Sequence, residues 1–166
     1  MEKEIVVIAH NIRSAHNIGS LLRTCEGLGV NKVILSGYSP YPPTIDDTRL
    51  PHITRKLAAQ IEKTSLGAET SLPWEHQENI EEVISNLKSS GFEIVGLEQA
   101  STSVKLTDYK SPKKLALLLG SEVTGIDKAL LEHTDAIIEI PMFGKKESFN
   151  VVQAAAMALY HCRFMG

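Results

Sequence analysis

The sequence lacks the features that mark secreted, membrane and metal-binding proteins. Its two cysteines, Cys25 and Cys162, lie far apart in helix-like patterns, which predicts reduced core thiols rather than a disulfide framework. No apolar run approaches the roughly 18–20 residues of a membrane span, and Met1-Glu-Lys-Glu leads straight into a short apolar run rather than a secretion signal. The histidines and cysteines show no paired ligand spacing, so we expect no metal site and no membrane contact. The expected location is the cytoplasm.

The familiar phosphate-binding loops are also missing. The chain contains neither the G-x-G-x-x-G fingerprint of dinucleotide folds nor a Walker-type loop, and it has no nucleophile elbow. The net charge is −3, so no overall excess of positive charge marks a nucleic-acid-binding protein. An RNA or DNA site would therefore be a local patch. An ordinary doubly wound nucleotide-binding domain is disfavoured.

What the chain does contain is a regular alternation of strand-like and helix-like segments. The 166 residues are 43% apolar, and we expect one domain over 1–166 without a linker or an added RNA-binding domain. The alternation predicts an α/β fold, a mostly parallel sheet with helices on both faces. Strands are predicted at 5–8, 32–36, 68–72, 92–97, 115–119 and 136–140, and helices at 17–28, 53–64, 79–89, 126–133 and 148–163.

Three of the predicted strands end in unusual polar loops. Leu97 is followed by Glu98, Leu119 by a turn from Gly120 to Gly125, and Ile140 by a long segment that reaches Asn150. Ligands of open α/β sheets bind beyond the carboxyl ends of strands, so these loops form one pocket if the strands are neighbours. Two plainer alternatives stay open: Glu122 is a solvated residue of a simple turn, and Ser148 is an ordinary N-cap of the last helix.

The first helix carries an unexpected polar row. Its apolar stripe faces one way, whereas Gly19, Arg23 and Gly27 recur at four-residue spacing on the other side. A glycine inside a helix costs about 1 kcal/mol relative to alanine, so the row suggests that something approaches this face closely. The alternative is a solvent-facing arginine beside tolerated glycines.

Basic side chains gather near these segments and suggest a phosphate-binding surface, with scattered surface charge as the alternative. They are His10, Arg13, His16, Arg49, His52, Arg55, Lys56, Lys145 and Lys146.

Three segments together resemble a known family. Residues 17–24 (NIGSLLRT), 119–125 (LGSEVTG) and 140–151 (IPMFG…SFNV) look like the three motifs of the SPOUT methyltransferases, in the TrmH/SpoU branch that methylates RNA ribose 2′-hydroxyls. The resemblance implies a deep C-terminal trefoil knot and a homodimer whose first and last helices meet at the interface. It also implies that S-adenosyl-L-methionine is bound in a bent shape by Leu97, Gly120, Ile140, Met142, Ser148 and Phe149.

The same resemblance assigns catalytic roles to Asn17, Arg23, Glu122, Ser148 and Asn150. In the family the arginine is proposed to help deprotonate the ribose hydroxyl, yet a free guanidinium is a poor base because its pKa exceeds 12. Binding an adjacent phosphate and stabilising the developing alkoxide is the better role, with Asn17 and Glu122 orienting the arginine. Phe149 departs from the leucine that is commonest in the family and changes the shape near the adenine.

The sequence therefore predicts an S-adenosylmethionine-dependent enzyme that methylates a ribose 2′-hydroxyl in RNA. Transfer RNA is the preferred substrate because no added RNA-binding domain is seen, and ribosomal RNA is the alternative. A knotted RNA-binding protein without catalysis is a second alternative, against which the intact site residues argue.

Overall fold

Seven strands form one sheet in the computed structural model, which describes residues 2–166. The strands are β1 (Glu4–His10), β2 (Lys32–Ser36), β3 (Trp74–Gln77), β4 (Glu93–Leu97), β5 (Val104–Lys105), β6 (Lys114–Leu119) and β7 (Ala136–Glu139). They lie in the order β3-β2-β1-β6-β4-β7-β5, and every neighbouring pair is parallel. The predicted α/β architecture is confirmed.

Helices cover both faces of this sheet. The α-helices are α1 (Ala15–Gly27), α2 (Pro51–Ser65), α3 (Ala68–Ser71), α4 (Ile80–Ser89), α5 (Lys128–Leu131) and α6 (Val151–Tyr160), and α6 continues as a wider π-type turn over His161–Met165. The central strand β6 explains why the run Leu115–Leu119 is apolar throughout. Leu115, Leu117 and Leu119 pack with α1, α2 and α6 on one face, whereas Ala116 and Leu118 pack with α4 and α5 on the other.

Two of the predicted elements are wrong in type or position. The strand expected at 68–72 is the helical turn α3, because Ala68 and Leu72 lie one helical turn apart and are both buried on the same side. The strand follows only at Trp74. The last helix begins at Val151 rather than Ser148, because the Asn150 side chain, and not Ser148, accepts hydrogen bonds from the first free backbone N–H groups.

The glycines beside Arg23 on α1 are expected to clear space for a ligand. The structure gives Gly19, the first of them, a different role. A Cβ atom at Gly19 would lie 2.1 Å from Thr64 Oγ1 and 2.3 Å from the Ile61 carbonyl oxygen of α2. Gly19 is therefore needed for the close packing of α1 on α2 and does not clear space for a ligand beside Arg23. A Cβ atom at Gly27 would meet nothing within 4 Å.

The two cysteines are as expected: both thiols are free and buried. Burial raises the pKa of the Cys25 thiol far above its usual value, so it stays protonated in the core. Within residues 2–166, every helix is too short or too polar to cross a bilayer.

Candidate active site

A cleft of about 420 Å³ opens beyond the carboxyl ends of β4, β6 and β7. These strands are neighbours in the order β6-β4-β7, so the loops after Leu97, Leu119 and Ile140 meet there, as the sequence predicted. The volume falls within the usual range for small-molecule sites. The cleft is lined by 97–99, 119–125, 139–140, 147–151 and Ala154.

The turn after β6 is folded tightly against the cleft. Ser121 and Gly125 exchange two backbone hydrogen bonds of 3.1 and 2.9 Å, which close the turn. A Cβ atom at Gly120 would lie only 2.4 Å from the Gly125 carbonyl carbon, so a glycine is required there. The turn therefore presents backbone rather than side chains at the end of β6.

Glu98 fixes this turn to the end of β4, a role that sequence reasoning missed. Its carboxylate accepts a 2.9 Å hydrogen bond from the backbone N–H of Ile126 and a 2.8 Å bond from that of Gln99. The signal in the sequence is a carboxylate directly after a buried strand. Glu98 thus holds two walls of the cleft at a set separation.

Glu122 connects the cleft to the start of α1. Its Oε2 accepts a 2.9 Å hydrogen bond from the backbone N–H of Arg13, and its Oε1 accepts 3.1 Å bonds from the Ser14 N–H and the Asn17 amide. The Asn150 amide in turn donates to Asn17 Oδ1 at 3.3 Å. The first, second and third motifs are therefore joined by one chain of side-chain hydrogen bonds.

This arrangement keeps Glu122 ionised. Burial tends to raise the pKa of its carboxyl, but the hydrogen bonds from Arg13, Asn17 and Ser14 outweigh that effect, so the pKa lies below its usual value. A carboxylate at this position can orient an amide or a hydroxyl by accepting hydrogen bonds, and its low pKa makes it a weak general base at neutral pH.

The structure gathers most of the predicted site residues around the cleft. Leu97, Gly120, Ile140, Ser148 and Phe149 line it together with Glu122 and Asn150, and Asn17 reaches it through the hydrogen bonds just described. Met142 is half-buried and is not among the lining residues.

Arg23 stands apart from this group. It is exposed on α1, six residues after Asn17 and thus about 9 Å farther along the helix axis. None of the four ion pairs within residues 2–166 involves it, and the side chains of Asn17 and Glu122 bind each other rather than its guanidinium. The expected contact between these residues and Arg23 is not formed in the described part of the chain.

Comparison with known proteins relates the chain to RNA-modifying enzymes. It is 30% identical over 162 residues to the 23S rRNA (guanosine-2′-O-)-methyltransferase of Neisseria meningitidis serogroup B. The aligned region covers 98% of this chain and 59% of that protein. It is 29% identical to the tRNA (guanosine(18)-2′-O)-methyltransferase of Saccharomyces cerevisiae, over 95% of this chain and 10% of that protein. The chain therefore spans about three fifths or less of the length of these curated relatives.

Solved structures have the same fold. A TrmH/SpoU tRNA modifying enzyme of A. aeolicus superimposes with a TM-score of 0.79 at 25% identity, over 98% of this chain and 75% of that chain. An AdoMet-bound rRNA methyltransferase of Sinorhizobium meliloti superimposes with a TM-score of 0.81 at 24% identity, over 98% and 57% of the two chains. The model of the SpoU rRNA Methylase family matches residues 4–160. This match covers nearly the whole chain and agrees with the three motifs and the cleft. The protein therefore belongs to the SpoU methylase family, in its TrmH/SpoU branch.

Proposed function

We propose that this protein is an S-adenosylmethionine-dependent methyltransferase that acts on the 2′-hydroxyl of a ribose in RNA. The observation that carries the proposal is the cleft itself: the second and third motifs line it, and hydrogen bonds from Asn17 to Glu122 and from Asn150 to Asn17 tie the first motif to it. The relatives named above are 2′-O-methyltransferases of rRNA and tRNA, which supports the same reaction class here.

The residues of the cleft fit the cofactor. Leu97, Ile140 and Phe149 supply apolar walls, and the turn from Gly120 brings polar backbone to the cleft at close range. Such a combination suits an adenosine, whose base needs apolar contact and whose edges need a few hydrogen bonds. The cofactor supplies a methyl group on a positively charged sulfur, so the protein's contribution is mainly alignment.

The chain's own polar residues would position the ribose. Asn17 and Asn150 are held at the rim by Glu122, and Ser148 lies beside them on the third loop. Arg23 is exposed and carries no ion pair among the described residues, so its guanidinium is available for an RNA phosphate. Bound to a phosphate there, it would help to position the RNA beside the ribose.

The proposal includes a homodimer and a C-terminal trefoil knot. Large apolar side chains are exposed on α6 and the turn after it: Met157, Tyr160, Phe164 and Met165 are 38–70% exposed. The rings of Tyr160 and Phe164 lie 5.0 Å apart, and exposed apolar side chains that cluster in this way are typical of a protein interface. The knot would arise where the segment after β7 passes the loop after β6, two segments that line the same cleft.

Transfer RNA is the proposed substrate. The similarity to the tRNA modifying enzyme of A. aeolicus, of which this chain covers 75%, favours it. Ribosomal RNA is the alternative, supported by the Neisseria relative.

Isothermal titration of the protein with S-adenosylmethionine tests the proposal, with Gly120→Ala and Gly144→Ala as a matched pair. A Cβ atom at Gly120 would collide with the Gly125 backbone, whereas one at Gly144 would meet nothing within 4 Å. We expect the wild-type protein and Gly144→Ala to bind the cofactor and Gly120→Ala to bind it at least about tenfold more weakly, because the turn must open. Absence of binding to the wild-type protein would contradict the proposed function.

A further inference from the structure

A second cleft, of about 360 Å³, lies along the same edge of the sheet as the first. It opens beyond the ends of β1, β2 and β3, whereas the first opens beyond β6, β4 and β7. The two clefts meet at Arg13, whose side chain lines the second and whose backbone N–H is bound by Glu122 of the first. From β4 to β2 the separation is three strand steps, or about 14 Å.

One wall of the second cleft is a rigid stack. The Arg49 guanidinium carbon lies 3.6 Å from the centroid of the Tyr41 ring, and the His76 ring lies 4.0 Å from it at an interplanar angle of 20°. Because both groups lie so close to one ring, they cover its two faces. Arg49 also donates to the carbonyl oxygens of Tyr41 and Pro42 and to the Asp47 carboxylate, so the loop keeps its shape without a ligand.

Strained backbone fixes the other wall. Asn11 adopts a left-handed conformation with φ 55°, which is uncommon for a residue other than glycine and occurs often at binding sites. Its Oδ1 accepts a 3.1 Å hydrogen bond from the Tyr38 N–H, and Gly37, at φ 62°, leaves room for that contact. This contact holds the backbone of Tyr38, a residue that lines the cleft and is 60% exposed.

The contents of this cleft match a nucleotide. Exposed aromatic rings stack on unpaired bases of RNA in a sequence-tolerant way, and nearby arginines bind the phosphates that join them. Tyr38 offers the ring, and the exposed side chain of Arg13 offers the charge between the two clefts.

We propose that the second cleft binds an unstacked nucleotide of the substrate RNA that flanks the nucleotide whose ribose lies in the first cleft. This proposal rests on the proposed function, which supplies the RNA and its position. It assigns Tyr38 as the stacking residue and Arg13 as the contact to the phosphate backbone.

The test compares Tyr38→Ala with Tyr38→Phe and with Ile45→Ala, a fully exposed residue of the same loop that lines neither cleft. The probes are total tRNA and, separately, rRNA from cells that lack the enzyme, and binding is measured without cofactor. For the RNA that the wild-type protein binds, we expect the Kd of Tyr38→Ala to rise roughly fivefold or more and that of the two other variants to stay unchanged.

A crosslinking measurement locates the contact directly. With 4-thiouridine in the RNA, we expect crosslinks to the peptides that contain Tyr38 or Arg13. Wild-type affinity in Tyr38→Ala, crosslinks confined to other surfaces, or no binding of either RNA by the wild-type protein would overturn this inference. Cofactor titration separates the two proposals. Absence of S-adenosylmethionine binding by the wild-type protein contradicts the proposed function, whereas wild-type RNA affinity in Tyr38→Ala with cofactor binding intact contradicts only this inference.

Discussion

The Glu122 carboxylate accepts hydrogen bonds from two backbone N–H groups and one amide at the start of α1, so one side chain holds two motifs together. Ser14 completes the same helix start by accepting a hydrogen bond from the Asn17 N–H. The position of Asn17 in the site is therefore set by its own helix cap and by a carboxylate from more than 100 residues away.

Replacing this carboxylate by an amide should lower both stability and activity. In Glu122→Gln we expect the free energy of unfolding at pH 7 to fall by about 1 kcal/mol, because the neutral amide accepts hydrogen bonds less strongly and brings an unpaired NH2 group. Urea unfolding measures the change. The control is Glu132→Gln, since Glu132 is exposed and takes part in no ion pair among residues 2–166.

The difference in the free energy of unfolding between the wild-type protein and Glu122→Gln should depend on pH in a defined direction. The pKa of Glu122 is lower in the folded protein than its ordinary value of 4.5, so the stabilisation is present above that value and is lost as the pH falls through the folded-state pKa. The difference in unfolding free energy between the wild-type protein and Glu122→Gln should therefore disappear at acid pH. A gap that is constant from pH 7 down to the acid range would show that the carboxylate is not responsible.

The two glycines of α1 differ in what surrounds them, although the sequence presents them as one row. Gly19→Ala should lower the free energy of unfolding by about 1–3 kcal/mol, because the methyl group would force α1 away from Ile61 and Thr64 of α2. Gly27→Ala should raise it by up to about 1 kcal/mol, because open space surrounds that position in the helix. Urea unfolding of both variants measures the difference, and equal effects would refute the packing role of Gly19.

Helices and strands with long, clear patterns were predictable from sequence, and short ones were not. The five central strands were placed to within one or two residues, because runs such as Leu115–Leu119 are buried on both faces. Ala68–Ser71 was mistaken for a strand, since four residues show too little periodicity to separate the two structures. Val104–Lys105 was missed for the same reason.

The site was partly predictable because its motifs stand at strand ends. Their position after neighbouring strands predicts one pocket for Glu122, Ser148 and Asn150, and all three line it. The hydrogen bond from Asn150 to Asn17 and the role of Glu98 depend on how loops fold across the sheet, and spacing along the chain carries no such information. The stack of Arg49, Tyr41 and His76 is not predictable for the same reason, since Tyr41 and Arg49 lie in the loop after β2 and His76 lies in β3, up to 35 residues away.

The proposed dimer makes a prediction about the molecule as a whole. Tyr160 and Phe164 lie on the exposed face of the last helix and its continuation, with their ring centroids 5.0 Å apart. Tyr160→Glu should dissociate the dimer without unfolding the chain, because a charge at an apolar interface must lose its water. Light scattering over a concentration series measures the mass, and Ile45→Glu, fully exposed elsewhere, is the control. A monomeric wild-type protein would contradict the dimer.

The two clefts lie along one edge of the sheet, with the proposed cofactor site on one half and the proposed RNA-flanking site on the other. Ribose methylation at this edge is directly measurable. Purified protein, labelled S-adenosylmethionine and tRNA from cells lacking the enzyme should yield labelled 2′-O-methylnucleosides after digestion of the RNA, and Glu122→Gln should yield much less. Label in a base, or no label in either tRNA or rRNA under conditions where the protein is folded, would contradict the account.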